Sequence, residues 1–110
     1  ISRGDKIKFD LRTGYLFVDP GELIYCEADG NYTHLVLEDG KEEVVSFNLG
    51  HVEHQLSGHN FFRINRSVLV NLKHIKKLDS RNRVCELKYN NSYKKFKVSS
   101  SKVRQLEQLF

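Results

Sequence analysis

No run in this 110-residue sequence stays apolar for the roughly 20 residues a membrane-crossing helix needs, so no helical span is expected. No secretory leader is visible either. The chain starts at Ile1 rather than methionine, so the expectation is one domain, residues 1–110, taken from the C-terminal part of a larger protein. Cysteine occurs twice, too seldom for a disulfide scaffold. Cys26 and Cys85 each lie inside an apolar, strand-like run, where a thiol packs as a small hydrophobe; free thiols and a reducing cytoplasm are expected. Proline occurs once, in Asp19-Pro20-Gly21, which reads as a turn. Motifs of catalysis are missing too: no glycine-rich phosphate loop, no CxxC or HExxH, and no base beside either cysteine. No enzyme, cofactor or catalytic residue is expected. His51, His54 and His59 are the nearest thing to a metal set, but a zinc site wants a third or fourth ligand at regular spacing.

Acidic residues are scarce in one half only. Residues 1–56 hold 5 Lys and Arg against 11 Asp and Glu, a balance of −6; residues 57–110 hold 13 against 3, a balance of +10. Charge this polarised sets up a field whose basic end attracts polyanions. Hydrophobic content of 39% and charged content of 29% are those of an ordinary globular protein.

What is present is mostly alternation of period two. Ile7, Phe9 and Leu11 alternate with Lys6, Lys8 and Asp10, and "YLFV" follows after a hairpin-length connection. "LIYCEA", residues 23–28, is apolar on both faces and so belongs in the middle of a sheet. In "YTHLVLE", Thr33, Leu35 and Leu37 alternate with Tyr32, His34 and Val36. Asp39-Gly40 signals a hairpin into "EEVVSF". The period then changes: Leu49, Val52 and Leu56 recur at helical spacing, with Asn48 placed as an N-cap. "FFRIN", "RVCELKY" and "YKKFKVS" return to strand, with a turn at Asn90-Asn91. The chain closes on a helix with an apolar stripe of Val103, Leu106 and Phe110, and the serines 99–101 read as its cap. The alternation predicts a mainly β domain of about nine short strands and two short helices.

The most instructive stretch is "FFRINRSVLVNLKHIKKL", residues 61–78, where Arg63, Asn65, Arg66 and Asn71 thread through residues of core type. An unpartnered buried amide costs about 2–7 kcal/mol, so each needs a partner or an outward orientation. Arg63 reads as structural, paired with Glu27 or another acid, and Asn71 as the brace of a tight bend. Asn65-Arg66-Ser67 offers an amide and a guanidinium side by side, the groups whose geometry fits adenine and guanine edges.

These residues carry a family likeness. "FFRINRSVLVNLKHI" resembles the signature of the LytTR DNA-binding domain, the output module of many bacterial response regulators, with its Arg-Ile, Arg-Ser and Val-Asn in order. "LIYCEADGNYTHLVLEDG" resembles the family's strand–turn–strand, and "KVSSSKVRQLEQLF" its closing strand and helix. The likeness covers nearly all of residues 5–110. It implies about ten short strands in small stacked sheets with one or two short helices, and loops rather than a recognition helix inserted into DNA. By position it places base contacts at Arg66, with Asn65 and Thr33 as secondary readers. It places backbone contacts at Asn31, Tyr32, Ser67, Lys97, Ser99, Ser101, Lys102 and Arg104. Position 65 is often histidine in the family, and an arginine often follows the Val-Ser of the last strand where Ser100 stands here; Lys102 or Arg104, from the first turn of the closing helix, is the candidate substitute. The likeness further implies promoter DNA with repeat sites as partner, pairing of two copies on it, an upstream receiver domain that is phosphorylated, and a cytoplasmic, non-membrane setting. Two rival readings are a single-stranded nucleic-acid binder, stacking bases on Tyr25, Tyr32 and Tyr93, and a sensing module built on the three histidines.

If the basic half meets phosphates, affinity for duplex DNA should fall steeply and log-linearly with salt concentration. Filter-binding titrations across a salt series check this; a flat dependence points to a different partner.

Overall fold

Burial on one or both faces decides how legible each strand is, and the middle sheet is buried on both. The computed structural model describes residues 6–110. Strands β1 (Ile7–Leu11) and β2 (Gly14–Val18) form a hairpin that is a sheet by itself. A short 3-10 turn at Pro20–Glu22, capped by the Asp19 carboxylate accepting from the Gly21 amide at 2.9 Å, leads into β3 (Leu23–Asp29). Then follow β4 (Tyr32–Leu37), β5 (Glu42–Val45), α1 (Leu49–Gln55), β6 (Phe61–Asn65) and β7 (Val68–Asn71). The last part holds β8 (Ile75–Asp79), β9 (Val84–Tyr89), β10 (Ser92–Lys97) and α2 (Val103–Glu107).

Every strand pairing is antiparallel. The five-stranded sheet runs β5-β4-β3-β7-β6 and the three-stranded sheet β10-β9-β8. The centre of the larger sheet is β3, as the two-sided apolar run "LIYCEA" requires. One hydrophobic cluster joins Ile24, Val36, Ile64, Val68 and Val70 of this sheet to Cys85, Leu87 and Phe96 of the smaller one and to Leu106 of α2. A second joins Leu23, Cys26, Leu35, Val45 and Leu69, on the opposite side, to Phe9 and Val18 of the hairpin and to Leu49, Val52 and Leu56 of α1. The result is three small stacked sheets with ten strands and two short helices. Both cysteines are free and buried, and burial pushes the Cys85 thiol up to about 11.

Three local expectations change. Alternation leaves the run from Arg66 to Asp79 unresolved, because β7 is buried along its whole length and so shows no period of two. A 3-10 turn at Leu72–His74 separates it from β8. The stripe of α2 stops short: Leu106 is buried and Val103 half-buried, but the helix ends at Glu107 and Phe110 stands 75% exposed. The serines do not cap that helix with their hydroxyls; Lys102 occupies the cap position, its amide donating to the Ser99 carbonyl at 2.8 Å. Asn48, in contrast, caps α1 as expected, accepting from the His51 amide at 2.9 Å.

Asn71 ties the bend between β7 and β8 to the turn ahead of β3. Its amide nitrogen donates to the carbonyls of Pro20 (3.1 Å) and Leu23 (2.9 Å), and its oxygen accepts from the Lys73 amide at 3.0 Å. Asn71→Ala strands those buried groups and should destabilise the fold by about 1–3 kcal/mol. Asn31→Ala, in an exposed turn, should change it by less than about 0.5 kcal/mol. Urea unfolding of both variants checks the contrast.

Candidate nucleic-acid interface

Antiparallel register brings several turns to one end of the molecule. The pairs Asp29↔Tyr32, Thr33↔Val45, Glu27↔Val68 and Asn65↔Val68 put the β3–β4 turn, the β5–α1 link and the β6–β7 turn at the same end of the five-stranded sheet. The Ala28 amide donates to the Ser67 carbonyl at 2.8 Å and fixes two of these turns to each other. The three-stranded sheet delivers its β8–β9 turn and the exit of β10 to this end too. The Val98 amide donates to Arg83 at 2.8 Å, and the Ser99 amide crosses to Ile64 of the larger sheet at 2.9 Å.

Asn65 closes the joint. Its Nδ2 donates to the Lys97 carbonyl at 2.7 Å and its Oδ1 accepts from the Ser67 amide at 2.7 Å. With both ends of the amide engaged inside the protein, Asn65 serves first as a brace for the loops. Arg63 braces the same turn from behind: Nη2 donates to the Arg66 carbonyl at 2.5 Å while Nη1 pairs with Glu53 of α1 at 3.2 Å. Its acidic partner is therefore Glu53, not Glu27.

Arg66, held by its neighbours, is exposed, and among the described residues no carboxylate pairs with its guanidinium. Beside it opens a cleft of about 280 Å³ lined by Asn65, Asn82, Arg83, Lys97, Ser99 and Ser100. Ser67 and Ser99 are half-buried and anchored through their backbones; Asn31, Tyr32, Lys97, Ser101 and Arg104 are exposed. Lys102 is half-buried, its Nζ 5.7 Å from the centre of the Phe62 ring.

Thr33 requires a correction. Its side chain is 0% exposed and its hydroxyl donates to the Phe47 carbonyl at 2.7 Å, so it lies in the core and cannot reach a base. The β8–β9 turn is the addition. Asn82 donates from its backbone and side-chain nitrogens to the Asp79 carboxylate at 3.0 and 2.9 Å, bonds that hold this carboxyl below its usual range. That stiff turn, with Arg83 at φ +56°, exposes Arg81 and Arg83 beside the serine segment. The signal in the sequence is "SRNR", two arginines flanking a turn residue between strands. As for the rival readings, Tyr25 is buried, and among the described residues no three His, Cys, Asp or Glu side chains converge to hold a metal. The His51 ring stacks on Phe47 at 4.1 Å.

With this geometry in place, the comparisons with known proteins agree in kind. The family model described as the LytTr DNA-binding domain matches residues 13–110. Among solved structures, the fold is similar to the LytTr DNA-binding domain of a methyl-accepting/DNA response regulator from Bacillus cereus. The TM-score is 0.72, the identity 24%, and 94% of each chain is covered. No curated protein matches the sequence.

Close to the β3–β4 turn, His34 sits between two carboxylates, Nε2 to Asp29 at 2.8 Å and Nδ1 to Glu42 at 2.5 Å. Hydrogen bonds to Asp29 and then Glu42 raise its pKa. A folded-state pKa above the unfolded value stabilises fully below the ordinary histidine value of about 6.5, and that stability is lost as pH rises through the folded value. The urea midpoint should therefore fall as pH rises above that point, and His34→Gln should flatten the dependence. An equally steep fall in the variant would remove His34 as its cause.

Proposed function

This chain belongs to the LytTR family of DNA-binding domains, and on that premise we propose that it reads double-stranded promoter DNA as the output domain of a bacterial two-component response regulator. The observation that carries the reading is Arg66: exposed, unpaired among the described residues, and braced by Asn65 and Arg63 beside a cationic cleft. An arginine fork fits guanine O6 and N7 in the major groove, and a turn whose backbone is fixed before binding leaves only the side chain to be ordered on contact. Phosphate contacts fix register without reading sequence. Ser67, Ser99, Ser101, Lys97, Lys102 and Arg104 are the anchors for them, joined by Asn31 and Tyr32 from the β3–β4 turn and by Arg81 and Arg83 from the β8–β9 turn. Asn65 retains one amide hydrogen and one lone pair, so its share in readout is secondary to its bracing.

Duplex is favoured over single strand because the aromatic supply is poor. Single-strand binders stack successive bases on exposed rings. Here Tyr25 is buried, Tyr93 projects from β10 well before the end that carries the loops, and of the three tyrosines only Tyr32 is exposed at that end, too few for a stack of successive bases. The wider setting follows the family: two copies on spaced repeats, an upstream receiver domain whose phosphorylation controls the output, transcription regulation in the cytoplasm, and no catalytic step.

Selection of bound duplexes from a random pool supplies the test sequence. On it, Arg66→Ala should cost about 1–3 kcal/mol and relax preference at one base pair, while barely affecting random duplex. Lys97→Ala or Arg83→Ala should weaken selected and random duplex alike and lower the salt slope by about one. Equal losses on both duplexes for Arg66→Ala would remove it as a base reader.

A further inference from the structure

The β1–β2 hairpin turns Ile7, Phe9, Leu11, Leu16 and Val18 inward, onto the second core cluster. Its other face carries Lys8, Asp10, Tyr15 and Phe17, and none of these enters either core. Tyr15 is 57% and Phe17 58% exposed, their ring centres 6.5 Å apart, with Lys8 Nζ 4.2 Å from the Tyr15 ring centre. Two neighbouring aromatic rings left this open on a small sheet are more than scattered surface apolarity.

We propose that this face is a contact for a second copy of the chain, related by a two-fold axis. The argument is in the register. Lys8 pairs across the hairpin with Phe17, and Asp10 with Tyr15, so the four side chains form a block with a cation and a ring in one row and an anion and a ring in the next. A two-fold axis lying in the contact plane, perpendicular to the strands and passing between the rows, sets each residue against its counterpart in the other row. Lys8 then faces Asp10 of the partner subunit, and Phe17 faces Tyr15 of the partner subunit. Both kinds of pair are matched by one operation, and each occurs twice, as an isologous contact demands. The alternative axis, along the strands, would press Lys8 on Phe17 and Asp10 on Tyr15, which covers Asp10 with no cation opposite. The block is complementary to itself, which is why a second copy is the occupant chosen. Lys6 and Arg12 fall opposite each other at the rim, where solvent screens them, so the contact is weak and reversible. It does not depend on the DNA reading.

Sedimentation equilibrium of the whole chain without DNA, from micromolar to millimolar, reads the contact directly. The weight-average mass should climb from 12.9 kDa towards twice that value. Asp10→Lys, checked for folding by circular dichroism, should remain at the monomer mass where the wild type has doubled. Phe17→Ser should shift association to higher concentration. The exchange Lys8→Asp with Asp10→Lys rebuilds an inverted but still self-complementary block and should restore association. A wild type that stays monomeric at millimolar concentration overturns the proposal. So does an Asp10→Lys variant that associates like the wild type, or a charge exchange that stays folded yet fails to associate.

Discussion

The side-chain amide of Asn65 is the joint on which the loop end depends. One amide group holds the Ser67 backbone in the larger sheet and the Lys97 backbone in the smaller one. Beside it the Ser99 amide crosses between the same two sheets. Without these bonds the β6–β7 turn and the exit of β10 would be separate loops, each free to choose its own position. With them, Arg66, the serine segment and the β8–β9 turn move as one surface.

The stacking of the sheets explains why such a surface exists. The larger sheet is covered on both faces, by the hairpin and α1 on one side and by the smaller sheet and α2 on the other. Only its ends and edges remain for function, and an end built of short turns has little area. The chain enlarges that end by bringing the ends of two sheets together, and it makes the turns stiff through local bonds: Arg63 to the Arg66 carbonyl and Asn82 to Asp79. Stiffness matters because an arginine whose backbone is fixed before contact has only its side chain left to order, and so keeps more of its hydrogen-bond energy as affinity. The same economy in polar groups appears at Asn71, where one buried amide satisfies three backbone partners.

Much of this was legible in the residues. The change from period two to helical spacing marks α1 with its Asn48 cap, and two-sided apolarity places β3 at the centre. The burial of Thr33 was legible as well: it shares a strand face with Leu35, and that parity outweighs a position inferred from family likeness. Other features were not. In β7 burial on both faces erases the alternation that would reveal it. The partnership of Asn65 with Lys97 spans 32 residues, and no local pattern announces a bond across two sheets. His34 looks like any outward residue of a strand until Asp29 and Glu42 arrive from its two neighbours.

A double-mutant cycle between Asn65→Ala and Arg66→Ala, measured on a selected duplex, tests the account at its centre. If the amide sets the guanidinium in place, removing Asn65 forfeits most of what Arg66 contributes, and the double variant is scarcely weaker than Asn65→Ala alone. Losses that simply add would mean that Arg66 finds its base without the brace, and that the joint between the sheets has no part in recognition.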